Sequence, residues 1–197
     1  MPSSKAQLRK QMLALRKAMP SEERKAADAS INSKILALPG FNKAELVAAY
    51  LSDGAEPDLE ACLKEVFKSG RRVCLPKSQG GRYFLAEVKS LKEGIREGLY
   101  GLKEPDGKAP EVSVNELRTA IWLVPGVAFD EKGGRLGRGK GVYDRLLSGG
   151  CGLAIGIFYE FQKCDSLPTE GHDFALDMIV TEREVRELSL KKEGKVD

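Results

Sequence analysis

Histidine is almost missing from this chain: His172 stands alone among 197 residues. Cysteine is sparse as well, and Cys62, Cys74, Cys151 and Cys164 show neither Cys-x-x-Cys spacing nor a histidine cluster nearby, so no metal or disulfide framework is suggested. No apolar run approaches the roughly 18 residues of a membrane span. The opening MPSSKAQLRKQ lacks the apolar stretch of a secretory leader. Charge of one sign is lacking too: 32 Lys and Arg face 29 Asp and Glu, and a net +3 is too small to mark a nucleic-acid surface. Internal repeats and low-complexity tracts are absent. What remains is globular composition, 42% hydrophobic and 31% charged, in a chain long enough to bury a core without covalent staples. The expectation is a cytoplasmic monomer with reduced thiols, binding small molecules and neither nucleic acid nor membrane. One domain should span 1–190. The tail 191–197, dominated by charge and glycine, should be disordered.

Periodicity orders the chain into helices and strands. Leu8, Met12, Leu15 and Met19 recur at helical spacing before Pro20, with Lys and Arg on the other faces. Ser21, followed by Glu22 and Glu23, reads as the N-cap of a second helix running to about Leu38. Strands are expected at 45–52, 71–76, 82–88, 119–130, 152–159 and 178–182, and a helix at 58–70. The segment 92–112 is too rich in glycine and proline to be regular and reads as a functional or exposed loop. Strands alternating with helices predict an α/β fold: a single layered domain, a mostly parallel central sheet flanked by helices, and an N-terminal helical pair. Ligands in such folds sit off the carboxyl ends of the strands.

The stretch GGRLGRGKGVYDRL, residues 133–146, follows the most apolar strand and holds five glycines, three arginines and a lysine. A strand, a loop and then a helix opening near Lys140 form the arrangement in which backbone N–H groups and a helix dipole bind phosphate. Gly134-x-x-x-x-Gly139-Lys140 meets the P-loop spacing, but Gly141 stands where a P-loop has Ser or Thr for its metal. If 140–147 is helical, Lys140 and Asp144 share a face at i and i+4, and Asp144 could hold Mg²⁺ in place of that hydroxyl. The alternative is a surface ion pair worth a few tenths of a kcal/mol. Against it stand the mutual repulsion of Arg135, Arg138 and Lys140 without an anion between them, and a glycine density beyond the needs of a hairpin.

The stretch LVPGVAFDEKGGRLGRGKGVYDRLL (123–147) resembles the signature of the 5-formyltetrahydrofolate cyclo-ligase family. KAQLR, YLSDGAEPDL, CLPK, YGLKEP and GHDFALDMIVTE occur in the order that family has them. The resemblance implies ATP- and Mg²⁺-dependent conversion of 5-formyltetrahydrofolate to 5,10-methenyltetrahydrofolate with release of ADP and phosphate. It implies that Arg135, Leu136, Gly137, Arg138, Gly139, Lys140, Gly141, Val142 and Tyr143 wrap the ATP phosphates, Arg138 and Lys140 carrying the charge for catalysis. Lys5 and Arg9 on the first helix would add to the ATP site. Leu51, Glu56 and Tyr100, together with Arg138 to Val142, would hold the folate, with Glu56 on the pterin edge. Asp144 and Asp173 would bind the metal, with Asp177 as a nearby candidate; His172 receives no role.

One departure stands out: the family usually has tyrosine where this chain has Val142, which removes a stacking face and a hydroxyl from the folate side. Two other functions are compatible with the loop, an RNA-binding module of the same fold and a phosphosugar isomerase or other phosphate-ester enzyme. The paired carboxylates and the near-neutral charge weigh against the first.

Overall fold

The computed structural model describes residues 4–98, 102–168 and 174–188. Tyr100, His172, Asp173 and the tail 191–197 lie outside them.

Two helices come first, α1 (Lys5–Ala18) and α2 (Ser21–Ala37). Ser4 caps α1 in a complete capping box with Gln7, which satisfies two N–H groups that a helix start otherwise leaves open. Ser21 is not the cap expected from sequence: it is the first helical residue, and Pro20 ahead of it has no side chain that could accept a bond. The apolar stripe of α1 also differs from expectation. Leu8, Met12 and Arg16 are buried, while Leu15 is 45% exposed, because the buried face follows a strict i, i+4 spacing.

A seven-stranded sheet forms the centre, in the order β12-β11-β9-β6-β1-β2-β3. Its strands are β1 (Leu46–Ala48), β2 (Arg72–Gln79), β3 (Arg82–Val88), β6 (Ile121–Pro125), β9 (Leu153–Ile157), β11 (Met178–Val180) and β12 (Val185–Glu187). The five inner strands run parallel, and each edge strand joins antiparallel through a tight connection. Helix α3 (Glu60–Lys68) makes the crossover from β1 to β2 that the sequence predicts. On one face Ile31, Ile35, Leu63 and Val66 of α2 and α3 pack on Val47, Val73, Leu123 and Ile155. On the other, Leu117 of the short α4 (Val114–Leu117) and Leu146 and Leu147 of α5 (Val142–Ser148) cover Cys74, Trp122 and Ala154. The Trp122 indole donates to the Leu117 carbonyl at 3.0 Å.

Three expected segments are revised. The 119–130 strand breaks after Pro125: Gly126 turns the chain, and β7 (Ala128–Asp130) leaves the central sheet to pair with β8 (Arg135–Leu136) and β10 (Lys163–Cys164). Gly126 is needed there, since a Cβ would lie 2.5 Å from the Phe158 ring. The 92–112 segment contains a hairpin, β4 (Ile95–Glu97) with β5 (Lys103–Pro105). The strand expected at 45–52 is regular only over 46–48, and the chain then leads into the loop that carries Glu56.

Gly152 gives a sharp test of this packing. A side chain there would meet the backbone carbonyl oxygens of Ala120 and Arg118, the latter at 2.9 Å, and backbone cannot step aside. Gly152→Ala is expected to destabilise the fold by about 2–3 kcal/mol. A urea midpoint that moves by less than the equivalent of about 0.5 kcal/mol, at unchanged m, would contradict it.

Candidate active site

A cleft of about 260 Å³ opens at the carboxyl ends of β1, β2 and β6, with Leu51, Ser78 and Gly126 among its lining residues. The glycine-rich segment forms another wall. Asp130, 2% exposed, organises its start: one carboxylate oxygen accepts from the N–H groups of Lys132 and Gly134, at 3.0 and 2.8 Å, and the other from Leu167 N–H at 2.9 Å. Aspartate before a Lys-Gly-Gly turn carries that signal in the sequence. Leu136 points away from the cleft into a small core with Leu8, Met12, Val127 and Ala128, so only its backbone faces the loop.

Helix α5 begins at Val142, not at Lys140, because Gly141 sits at φ +61° as a left-handed cap. Lys140 therefore lies outside the helix and does not share a helix face with Asp144. Asp144 is instead ion-paired to Arg135, whose side chain is only 3% exposed. Arg135 also donates weakly to the Pro125 carbonyl at 3.5 Å, lies 5.8 Å from the Tyr143 ring centre, and leaves its Nε without a partner. The Tyr143 hydroxyl is likewise buried and unpartnered, and burial first, then the Glu56 charge, pushes its pKa well above the ordinary tyrosine value.

Glu56 lies at the cleft beside Asp53. Arg138 from the loop pairs with both, reaching Glu56 Oε1 at 3.2 Å. From the opposite side Arg16 of α1 donates to Asp53 Oδ1 at 3.2 Å and stands 3.6 Å from Glu56 Oε1. Burial raises both carboxyls, with opposite net results. For Asp53 the Ala55 N–H, the Arg138 guanidinium, the Glu56 N–H and Arg16 outweigh it and hold the pKa below the usual range. Glu56, the more deeply buried, ends above its ordinary value despite Arg138, with Asp53 pushing the same way as burial.

Of the residues expected from sequence, Leu51, Glu56, Arg135, Gly137, Arg138, Lys140, Gly141, Val142, Tyr143 and Asp144 line one cleft. Arg9 reaches it indirectly, donating from Nε to the Gly137 carbonyl at 2.8 Å, and a Cβ on Gly139 would lie 3.4 Å from its guanidinium carbon. Lys5 opens α1 one turn before Arg9 and is not part of the lining. The Asp177 carboxylate accepts from Ala154 N–H at 2.8 Å, an arrangement that ties β9 to the 174–177 segment and accounts for this aspartate without a metal. Among the described residues no three His, Cys, Asp or Glu side chains cluster to hold an ion. Arg16, Asp53 and Asp130 were not singled out by pattern. Arg16 was detectable by continuing the Leu8, Met12 spacing one step further.

Comparison with known proteins fits this geometry. A family model described as the 5-formyltetrahydrofolate cyclo-ligase family matches residues 1–182. The 5-formyltetrahydrofolate cyclo-ligase of Mycolicibacterium smegmatis is 30% identical over 193 residues, covering 91% of this chain and 94% of that protein. The NMR structure of Aquifex aeolicus 5,10-methenyltetrahydrofolate synthetase superposes with a TM-score of 0.83 at 37% identity, covering 98% of this chain and 95% of that one. A 5,10-methenyltetrahydrofolate synthetase from Mycoplasma pneumoniae gives a TM-score of 0.74 at 26% identity, with coverage of 91% and 99%. No helix among the described residues is long and apolar enough to cross a membrane.

Proposed function

Because this chain belongs to the 5-formyltetrahydrofolate cyclo-ligase family, we propose that it converts 5-formyltetrahydrofolate to 5,10-methenyltetrahydrofolate, consuming ATP and releasing ADP and phosphate. The observation that carries the proposal is the convergence of a cationic glycine-rich wall and the Glu56 carboxylate on one cleft. A formamide oxygen is a poor leaving group. Transfer of the γ-phosphoryl group to that oxygen, with ADP departing, leaves an iminium phosphate at N5. The substrate's N10 then attacks the activated carbon, loses its proton and expels inorganic phosphate as the ring closes.

Such chemistry asks the protein mainly for positioning and charge neutralisation. Arg138 and Lys140 are the cations for the transferring phosphoryl group, and Gly139 and Gly141, at φ +89° and +61°, let the backbone approach the phosphates closely. Arg9 braces that backbone through Gly137. Glu56 suits the adjacent N–H donors of a 2-amino-4-oxo pterin, and Val142 lines the same cleft.

Mg²⁺ is commonly held by one or two carboxylates together with substrate phosphates and water, and Asp144, about a quarter exposed at the cleft, is a suitable donor. When bound there, the ion would neutralise charge on the nucleotide phosphates. Asp173 completes this proposed ligand pair.

The test is direct: mix the protein with 5-formyltetrahydrofolate, Mg²⁺ and ATP, and follow the near-ultraviolet band of the methenyl product, omitting ATP as the control. ATP-dependent growth of the band is expected. A flat trace from folded protein would overturn the assignment.

A further inference from the structure

Helix α1 holds a fully buried arginine at the base of the cleft. Arg16 is 0% exposed, and burying a guanidinium is strongly unfavourable unless its charge is paired and its N–H groups find acceptors. A helix required only to pack would place leucine or methionine there, continuing Leu8 and Met12. The acceptors Arg16 finds are concentrated on one loop. Its Nε donates to the Ala55 carbonyl at 3.1 Å, and its Nη2 donates to Asp53 Oδ1 at 3.2 Å and lies 3.6 Å from Glu56 Oε1. Its Nη1 donates to the Gly126 carbonyl at 3.3 Å, at the bend where β6 ends.

Asp53 passes this anchoring on to Glu56. Its Oδ1 accepts from the N–H groups of Ala55 and Glu56 at 2.9 and 2.8 Å, closing 53–56 into a fixed turn. Arg138 meets the same carboxylates from the other side, but its side chain is 35% exposed and it belongs to the wall that would receive phosphate. Of the two arginines, only Arg16 is wholly enclosed by protein, and it ties the turn to the fixed Gly126 carbonyl at the end of β6.

Building on the functional reading above, we propose that Arg16 is a positioning residue for folate: through Asp53 and the 53–56 turn it holds Glu56 in the orientation that accepts the pterin N–H donors. It acts through Glu56 and does not itself touch the reacting atoms.

The test compares Arg16→Met and Arg16→Lys with Met12→Ala, which loosens the same helix through its apolar stripe alone. Arg16→Met is expected to raise KM for 5-formyltetrahydrofolate about tenfold or more, while kcat and KM for ATP move less than about threefold. Amide hydrogen exchange at Ala55 and Glu56 should quicken by about tenfold in the same variant. Arg16→Lys, which keeps the charge but not the planar fork, should recover part of the folate KM. It also reads the same KM split if Arg16→Met does not accumulate as folded protein. Met12→Ala should lower the urea midpoint and leave the KM ratio and the two exchange rates unchanged. The proposal is overturned if Arg16→Met keeps wild-type folate KM and exchange, or if it and Met12→Ala shift both KM values alike. Failure of the functional reading registers separately, as absence of turnover in the wild type. Exchange at Ala55 and Glu56 still decides the role of Arg16 in that case.

Discussion

Lys140→Ala is expected to lower kcat for ATP-dependent ring closure by about 10²–10³-fold and to leave the urea midpoint where it is. Lys140 follows Gly139 and precedes Gly141, two residues in left-handed backbone, so its own backbone is held by neighbours that the substitution does not touch. It lies in the cleft wall outside α5, so no helical turn is lost with it. A cation aimed at a transferring phosphoryl group is worth most where charge builds in the transition state, which places the loss in kcat more than in KM for ATP. The measurement is steady-state turnover beside an unfolding curve. Wild-type kcat in the variant would remove Lys140 from the mechanism, and a collapsed unfolding transition would make its role structural.

Asp144 should separate stability from activity more clearly than any other residue in the cleft. Its carboxylate is the ion-pair partner of Arg135, whose side chain is 3% exposed and whose Nε already lacks a partner. Deleting one member of a fully buried pair costs about 3–5 kcal/mol. Because Asp144 is about a quarter exposed, Asp144→Ala is expected to cost about 2 kcal/mol. Asp144→Asn preserves an oxygen that can still accept from Arg135, so its cost should be nearer about 1 kcal/mol. Yet an amide is a poor ligand for Mg²⁺, and both variants should lose at least about 10²-fold in turnover at cellular Mg²⁺. Raising Mg²⁺ should restore part of the activity of Asp144→Asn. Undiminished turnover in Asp144→Asn would show that the carboxylate serves Arg135 alone.

The parallel sheet and its crossover helix were legible because runs such as 121–125 and 154–157, buried on both faces, are continuous and apolar and are bounded by turn residues. The glycine-lysine wall was legible from composition, since charge repulsion and backbone freedom are local properties. Partner choice was not local. Arg135 with Asp144, Arg138 with Glu56 and Arg16 with Asp53 are pairings between elements, and spacing along the chain, which put Asp144 on one helix face with Lys140, gave no sign of Arg135 as its partner. The start of α5 shifted by two residues because Gly141 adopts a left-handed cap, which residue type permits but does not dictate. The break at Gly126 was hidden for a similar reason: the run on both sides is equally apolar, and the need for a bend arises from the Phe158 ring packed against it. The β12 edge strand, alternating Val185, Arg186 and Glu187, is too short and polar for periodicity to reveal.

The placement of α1 bears on how the protein comes into being on the ribosome. This helix is synthesised well before the segments it docks on: its apolar stripe packs on Val127, Ala128, Leu136 and Leu167, and Arg9 bonds to a carbonyl 128 positions downstream. Until those segments have left the exit tunnel the helix has no surface to settle on. Its basic faces keep it in solution meanwhile, and long-range closure of this kind slows folding. Strands β1, β2, β3 and β6 can therefore be laid down while the nascent chain is still incapable of catalysis. Competence arrives with the docking of this early helix onto segments made long after it.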